Sequence, residues 1–156
     1  MAKKKHKKTL VEQILDKAGI AHIGLEINAL EGEKPDNVSE DDIYKTLALI
    51  GNNTGPVIGI IPITQHLSYK KLATASGNKK VAMIPLKDLQ KTTGYIHGAN
   101  NPVGIWQTKK FPIFIDKVAQ DKEFMIVSAG EVGKSIQINP QDLANFVNAE
   151  FSDLIE

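Results

Sequence analysis

The chain has 156 residues, no cysteine, 42% hydrophobic and 24% charged residues, and a formal net charge of +1. That size suits one domain with one core, and the lack of cysteine excludes disulfides, thiolate metal sites and a cysteine nucleophile. No apolar run approaches the roughly 20 residues needed to cross a bilayer, and no apolar stretch follows the N-terminal lysines as a secretory signal would require. The sequence therefore reads as cytoplasmic.

The charge is unevenly placed. Five of the 19 basic residues are Lys3, Lys4, Lys5, Lys7 and Lys8, which leaves 14 lysines against 18 acidic residues, about −4, for the rest. We expect a basic tail over residues 1–8 and a mildly acidic domain over 9–156. The tail is either a solvated charge run or a phosphate-contacting arm. Every basic residue is lysine, so any phosphate contact is a point charge without arginine's bidentate geometry.

Thr9 to Glu12 reads as a capping box. Leu10, Val11, Ile14, Leu15 and Ala18 form an apolar stripe, and Gly19 suits the position after a helix end, which predicts a helix over 10–18. Residues 21–27 read as a strand and 28–38 as a loop. Ser39 with Glu40, Asp41 and Asp42 signals a short helix. Residues 44–50 and 57–61 read as strands joined by the turn cluster 51–55, a hairpin. Ser68 opens a helix over 69–76, closed by Gly77 and Asn78. A short strand is expected at 81–85 and a helical turn at 86–91. Residues 93–107 show few signals of regular structure. Strands follow at 111–115, 124–127 and 136–138, with a turn at 130–133. Asn139 and Pro140 start the last helix, with Leu143, Ala144, Phe146 and Val147 on its buried face. Tight turns imply antiparallel pairs, and strands separated by helices permit parallel ones. The expected class is α+β, a mixed, mostly antiparallel, curved and barrel-like sheet with helices around it.

Two features carry candidate chemistry. Lys45 shares a strand face with Leu47 and Leu49; it is either an edge lysine whose ammonium reaches water, or a lysine lining a cleft to hold an anionic or carbonyl oxygen. The segment 94–104 is rich in glycine and asparagine. It is either a structural loop or one whose backbone amides approach a ligand. Other arrangements fail. The four histidines lack zinc-site spacing, so no metal is expected. Gly133-Lys134-Ser135 lacks the first glycine of a phosphate-binding loop. Trp106 and Tyr95 read as packing residues, with base stacking as the alternative.

Tyr44-Lys45-Thr46-Leu47, Thr93-Gly94-Tyr95, Gly98-Ala99-Asn100-Asn101-Pro102 and Val127-Ser128-Ala129-Gly130 occur in the order and approximate spacing of the YbaK-type aminoacyl-tRNA deacylases. These resemble the editing domain inserted in bacterial prolyl-tRNA synthetases, and the resemblance spans nearly the whole chain. It implies hydrolytic removal of a wrong amino acid from tRNA, with Cys-tRNA(Pro) as the expected substrate. It also implies no metal or organic cofactor and a transient partnership with prolyl-tRNA synthetase. Lys45, Gly98 and Ala99 take the catalytic positions. His22, Thr46, Tyr95, Asn100, Asn101, Pro102, Ser128, Gly130 and Ser135 take substrate-binding ones.

The sequence departs from the family pattern in three places. Ala99 stands where the family loop usually has a second glycine, Ser135 where an acid is common, and His22 where many relatives have an aromatic residue. Two alternatives accompany this reading. One is deacylation of another small aminoacyl-tRNA such as alanyl-tRNA(Pro). The other is a non-catalytic module that binds tRNA.

Overall fold

The computed structural model describes residues 7–27 and 34–156. Most of the expected basic tail and the first part of the expected loop over 28–38 lie outside the described residues. Of the tail's lysines, Lys7 and Lys8 are described. Lys8 pairs with Asp16, and the Lys7 carbonyl accepts from Lys134 Nζ at 3.2 Å.

Helix α1 spans Leu10–Ala18. Its capping box forms as the sequence implies. Thr9 Oγ1 accepts from the Glu12 amide at 3.2 Å, and Glu12 Oε1 accepts from the Thr9 amide at 3.3 Å. Strand β1 (His22–Glu26) follows. The helix expected at Ser39 is a single 3-10 turn, Glu40–Asp42. It delivers the chain into β2 (Tyr44–Gly51), which folds back on β3 (Gly55–Pro62). Helix α2 (Tyr69–Ser76), strand β4 (Val81–Met83) and helix α3 (Leu86–Thr93) complete the first half.

The second half contains elements that hydrophobic periodicity does not reveal. Helix α4 (Pro102–Lys109) occupies much of the segment expected to be irregular, leaving a loop of residues 94–101. Pro102, Val103, Gly104 and Ile105 are consecutive and all buried, so α4 has no polar face in its first turn and gives no amphipathic stripe. Its start was nevertheless encoded. Asn101 caps the helix and Pro102 occupies its first turn, the same Asn-Pro signal that opens α5 (Pro140–Phe146). Strand β5 (Ile113–Asp116) runs into a 3-10 turn, Lys117–Asp121. Strands β6 (Met125–Glu131) and β7 (Lys134–Ile138) form a hairpin, and β8 (Glu150–Ser152) ends the sheet.

The strands make two sheets, one of order β4-β2-β3-β5-β8 and one of order β1-β7-β6. Four strand pairs are antiparallel. Two pairs, β3 with β5 and β5 with β8, are parallel. A parallel bridge between Ile43 and Ile126 joins the two sheets at one corner. The mixed, mostly antiparallel α+β expectation therefore holds, but the sheet does not close into a barrel. Strands β4 and β8 remain as edges of the larger sheet, because the helices and 3-10 turns cover apolar faces that closure would otherwise bury.

Two apolar cores flank the five-stranded sheet. Tyr44 and Ala48 of β2, with Ile58 and Ile60 of β3, join Val11 and Leu15 of α1, Val103 and Ile105 of α4, and the buried residues of β6 and β7. The opposite face sends Leu49, Val57 and Ile61 under α2, against Leu72 and Ala73. Alternation on β2 and β3 thus serves two cores, with register deciding which residue serves which.

That register is clamped at the hairpin turn. Asn78 Oδ1 accepts from the amides of Asn53 at 2.8 Å and Thr54 at 3.0 Å. Its Nδ2 donates to Thr54 Oγ1 at 3.0 Å and Ser76 Oγ at 2.8 Å. The Asn78 side chain lies directly over Gly51, where any Cβ would collide with it. Replacing Asn78 by alanine strands two partly buried amide donors, those of Asn53 and Thr54, at once. We expect Asn78→Ala to cost about 1–3 kcal/mol, read as a lowered urea midpoint at unchanged slope.

Candidate functional site

A pocket of about 340 Å³ opens where the N-terminal half of β2, the loop 94–101 and the β6–β7 hairpin converge. Its wall is mostly apolar, built from Ile43 and Ile63 near one end of β2, and Ile84, Leu86 and Leu89 on the other side. Polar groups are few and come from separate elements: Lys45 and Thr46 from β2, His97, Gly98 and Asn100 from the loop, Ser128 from β6, Lys134 and Ser135 from β7. An apolar concavity with a few convergent polar groups has the make-up of a small-molecule or group-binding site.

Among the described residues, three buried side-chain oxygens lack a hydrogen-bond partner: Tyr44 Oη, Thr46 Oγ1 and Asn100 Oδ1. All three residues line the pocket. Leaving such a group unpaired costs about 1–3 kcal/mol, so three in one place mark a surface prepared for a ligand rather than for packing alone.

Lys45 is half-buried, and no acidic group among the described residues pairs with it. It stands at the border between the pocket and a second, more open groove lined by Leu47, Met83, His66 and Lys70. In the β2–β3 register it pairs with Ile61. It therefore lies on the sheet face of Leu47 and Leu49, as alternation predicts, at the end of the strand where that face meets the pocket mouth. The second pocket lysine is engaged: Lys134 donates to the Lys7 carbonyl and lies 4.0 Å from Glu131.

The loop is held by its own side chains. Thr93 Oγ1 donates to the carbonyls of Leu89 at 3.0 Å and Tyr95 at 3.1 Å, and it accepts from the Tyr95 amide at 3.1 Å. Asn101 is fully buried. Its Oδ1 accepts from the Gly104 amide at 2.6 Å, and its Nδ2 donates to the Ala99 carbonyl at 3.1 Å. Tyr95 lies against Gly104 so closely that a Cβ there would overlap its ring. Gly98 has φ of 90°, a conformation that a side chain would strain. The Ala99 amide donates to the Ile96 carbonyl at 3.0 Å and is already used. The amides of Gly98 and Asn100 donate to no acceptor among the described residues.

The candidates from the sequence fall into two groups. Lys45, Thr46, Gly98, Asn100, Ser128 and Ser135 all line the pocket. Ala99, Tyr95, Asn101, Pro102, Gly130 and His22 are not among its lining residues. Tyr95, Asn101 and Pro102 build the loop and start α4, and Gly130 sits at the β-bulge of β6 with φ of 91°. Ala99 is buried and does not need a positive φ, so its Cβ brings neither strain nor a narrower pocket. His22 lies at the opposite end of β1 from the pocket residue Ile27. Its Nδ1 is 2.9 Å from the Ile20 carbonyl and its Nε2 is 3.5 Å from Asp16.

Tyr44 and His97 line the pocket without having been singled out. Tyr44 was legible as the inward neighbour of Lys45 on an alternating strand. His97 gave no signal beyond its place in the loop. No group of three His, Asp or Glu side chains gathers around a common point among the described residues, and none of their helices is long and apolar enough to cross a membrane.

The sequence profile of the aminoacyl-tRNA editing domain matches residues 28–146. This chain belongs to that family. It is 45% identical over 117 residues to EbsC of Enterococcus faecalis, provisionally named a Cys-tRNA(Pro)/Cys-tRNA(Cys) deacylase; the match covers 75% of this chain and 70% of that one. Among solved structures, a protein provisionally described as a trans-editing enzyme for prolyl tRNA synthetase superposes with a TM-score of 0.77 at 18% identity, covering 94% of each chain. The hypothetical protein APE2540 superposes with a TM-score of 0.79 at 22% identity, covering 94% of this chain and 99% of its own. At such identities the structural likeness establishes the fold, which is the editing-domain fold.

The buried phenol of Tyr44 yields a pH prediction for this editing domain. Burial, reinforced by the negative charges of Asp116, Asp42 and Asp41, pushes its pKa up from 10.0 to about 12. The unfolded chain gives up that proton first, so the group favours unfolding as pH rises from 10 towards 12 and has no effect below 10. Tyr44→Phe should therefore flatten the alkaline limb of the stability curve and leave neutral-pH stability equal or higher, as urea midpoints across that range will show.

Proposed function

We propose that the protein hydrolyses the ester of mischarged aminoacyl-tRNA in trans, with cysteinyl-tRNA(Pro) as its substrate and the pocket beside Lys45 as its catalytic site. The observation that carries this reading is the unpaired Lys45 ammonium at the mouth of an apolar pocket that also holds the free amides of the Gly98 loop. The relationship to EbsC supports the choice of amino acid and tRNA.

The chemistry asked of such a site is modest. The ester linking an amino acid to the terminal ribose is already activated, so orientation and charge stabilisation are the main requirements. Addition of a nucleophile to the carbonyl carbon places negative charge on the carbonyl oxygen. The amides of Gly98 and Asn100 are the candidates to meet it, and loss of one such donor typically costs about 10²–10³ in rate. Lys45 holds the phosphate or carbonyl oxygen of the terminal nucleotide. With water as the nucleophile, the intermediate collapses, the ribose oxygen leaves and takes up a proton, and the free amino acid departs. Among the described residues no Ser-His-Asp arrangement lines the pocket, which fits water as the nucleophile, oriented by the ribose hydroxyl, or the substrate's own thiol, which expels the ribose oxygen as a cyclic thioester that water then opens.

A cytoplasmic location and a transient partnership with prolyl-tRNA synthetase follow from the same reading. Both suit an enzyme that must meet mischarged tRNA as the synthetase releases it.

Deacylation of a panel of mischarged tRNAs tests the proposal. Cysteinyl-tRNA(Pro) should be cleared faster than alanyl- or prolyl-tRNA(Pro). Lys45→Ala should slow clearance by about 10–100-fold, the worth of one charge-assisted hydrogen bond of 1.5–3 kcal/mol. Turnover of no ester by the wild type would sink the enzyme reading, and full activity in the variant would sink the role of Lys45. Ala99→Gly, in the same assay, should leave the order of substrates unchanged, because the Ala99 side chain is turned into the core.

A further inference from the structure

Lys45 has a second neighbourhood. The open groove beside it encloses about 850 Å³, against about 340 Å³ for the pocket. Lys45, Leu47 and Met83 line both spaces, so pocket and groove run into one another where β2 meets β4. A substrate that places its ester beside Lys45 must carry the rest of its body away from the pocket. The groove is the larger space that adjoins the pocket there.

The make-up of the groove suits a nucleic acid strand. Its remaining lining is His66, Leu67, Ser68, Tyr69, Lys70 and Glu156. Tyr69 and Lys70 are the first two residues of α2. Tyr69 is 47% exposed, and Met83, at the end of β4, is 42% exposed. The core under α2 takes Leu72 and Ala73 instead. Lys70 enters no ion pair among the described residues. Its neighbour Lys71 is engaged, with Asp153 and the Ile155 carbonyl. Lys45, Lys70 and His66 therefore share the groove with one carboxylate, that of Glu156. An open aromatic ring beside cations is the chemistry that holds single strands: bases stack on the ring, and phosphates meet the cations.

The groove is also held in shape by its own hydrogen bonds. The Ser68 amide donates to the Leu154 carbonyl at 2.7 Å, and the Glu156 amide donates to the His66 carbonyl at 3.0 Å. Leu67 forms a bridge with Ile155. Ser68 Oγ accepts from the Lys71 amide at 3.2 Å and so caps α2. Tyr69 and Lys70 are thus carried on fixed backbone, which lowers the cost of ordering them around a ligand.

We infer that this groove seats the unpaired 3′ end of the tRNA. Tyr69 stacks on a base, Lys70 meets a backbone phosphate, and Lys45 stands at the joint between the nucleic acid and the aminoacyl group. The inference rests on the reading of the pocket as the aminoacyl site, and it adds the surface that recognises the polymer.

Two assays on the full chain test it. In the first, a labelled, uncharged single-stranded RNA ending in CCA is titrated by fluorescence anisotropy over a range of salt. Tyr69→Ala should weaken binding by at least about five-fold, the lower end of what one base–aromatic stack contributes. Tyr69→Phe keeps the ring and should bind like the wild type. Lys70→Ala should flatten the slope of log K against log salt by about 0.7, the share of one phosphate contact on a single strand. In the second assay, clearance of cysteinyl-tRNA(Pro), Tyr69→Ala and Lys70→Ala should raise KM and leave kcat unchanged, because they remove uniform binding far from the reacting bond. Both side chains are exposed, so thermal midpoints should match the wild type. Wild-type RNA affinity in both alanine variants overturns the inference and leaves the deacylase reading intact. So does an RNA duplex that binds the wild type as tightly as the single strand, which marks an unspecific cationic patch. Single-strand binding that depends on Tyr69, in a protein that clears no aminoacyl ester, keeps the groove and overturns the catalytic reading.

Discussion

The register of the β2–β3 pair governs both the core and the site. With Lys45 opposite Ile61 and Thr46 opposite Ile60, Tyr44, Thr46 and Ala48 turn toward the main core and the pocket, while Leu47 and Leu49 turn under α2. A slip by one residue would exchange these sets and put Lys45 into the main core. Within the strands, the cost of burying the Lys45 charge opposes such a slip. A second restraint comes from outside, through Asn78 on the hairpin turn and the close approach of its side chain to Gly51. The placement of the candidate catalytic lysine thus depends in part on an asparagine at the far end of its strand.

The site is assembled where three structural seams meet, which explains its composition. Strand β2 supplies the cation, the β6–β7 hairpin supplies serines, and the loop before α4 supplies free amides and an unpaired carbonyl oxygen. None of these segments makes a pocket alone. The loop's rigidity is what turns flexible residue types into fixed donors and acceptors: Thr93 and Asn101 bind the backbone at its two ends, and Tyr95 fills the space over Gly104. A binding surface whose polar atoms are unpaired before the ligand arrives trades stability for readiness.

Family motifs in this chain divide by physical role once the geometry is known. Tyr44-Lys45-Thr46 and Gly98 border the cavity. Thr93-Gly94-Tyr95, Asn101-Pro102 and Gly130 shape what borders it. The two departures in the pocket region also differ in consequence. Ala99 is absorbed into the core without backbone strain. Ser135 lies in the wall of the cavity, and with serine there the described lining residues include no carboxylate.

The sequence by itself determined the local elements and the chemistry available. The Thr9 box, the 51–55 turn, the Asn139-Pro140 start and the alternation of β2 are short-range signals, written within a few residues of where they act. The same short-range logic also encoded α4 in Asn101-Pro102, although its fully buried first turn hid the amphipathic pattern that makes most helices visible. Tertiary structure alone decided the rest: β8 adding to β5, the open rather than closed sheet, His22 lying away from the pocket, and the meeting of Lys45 with the Gly98 loop. These depend on pairings between distant segments. Alternation tells which residues share a face, but only the packed fold tells what that face meets.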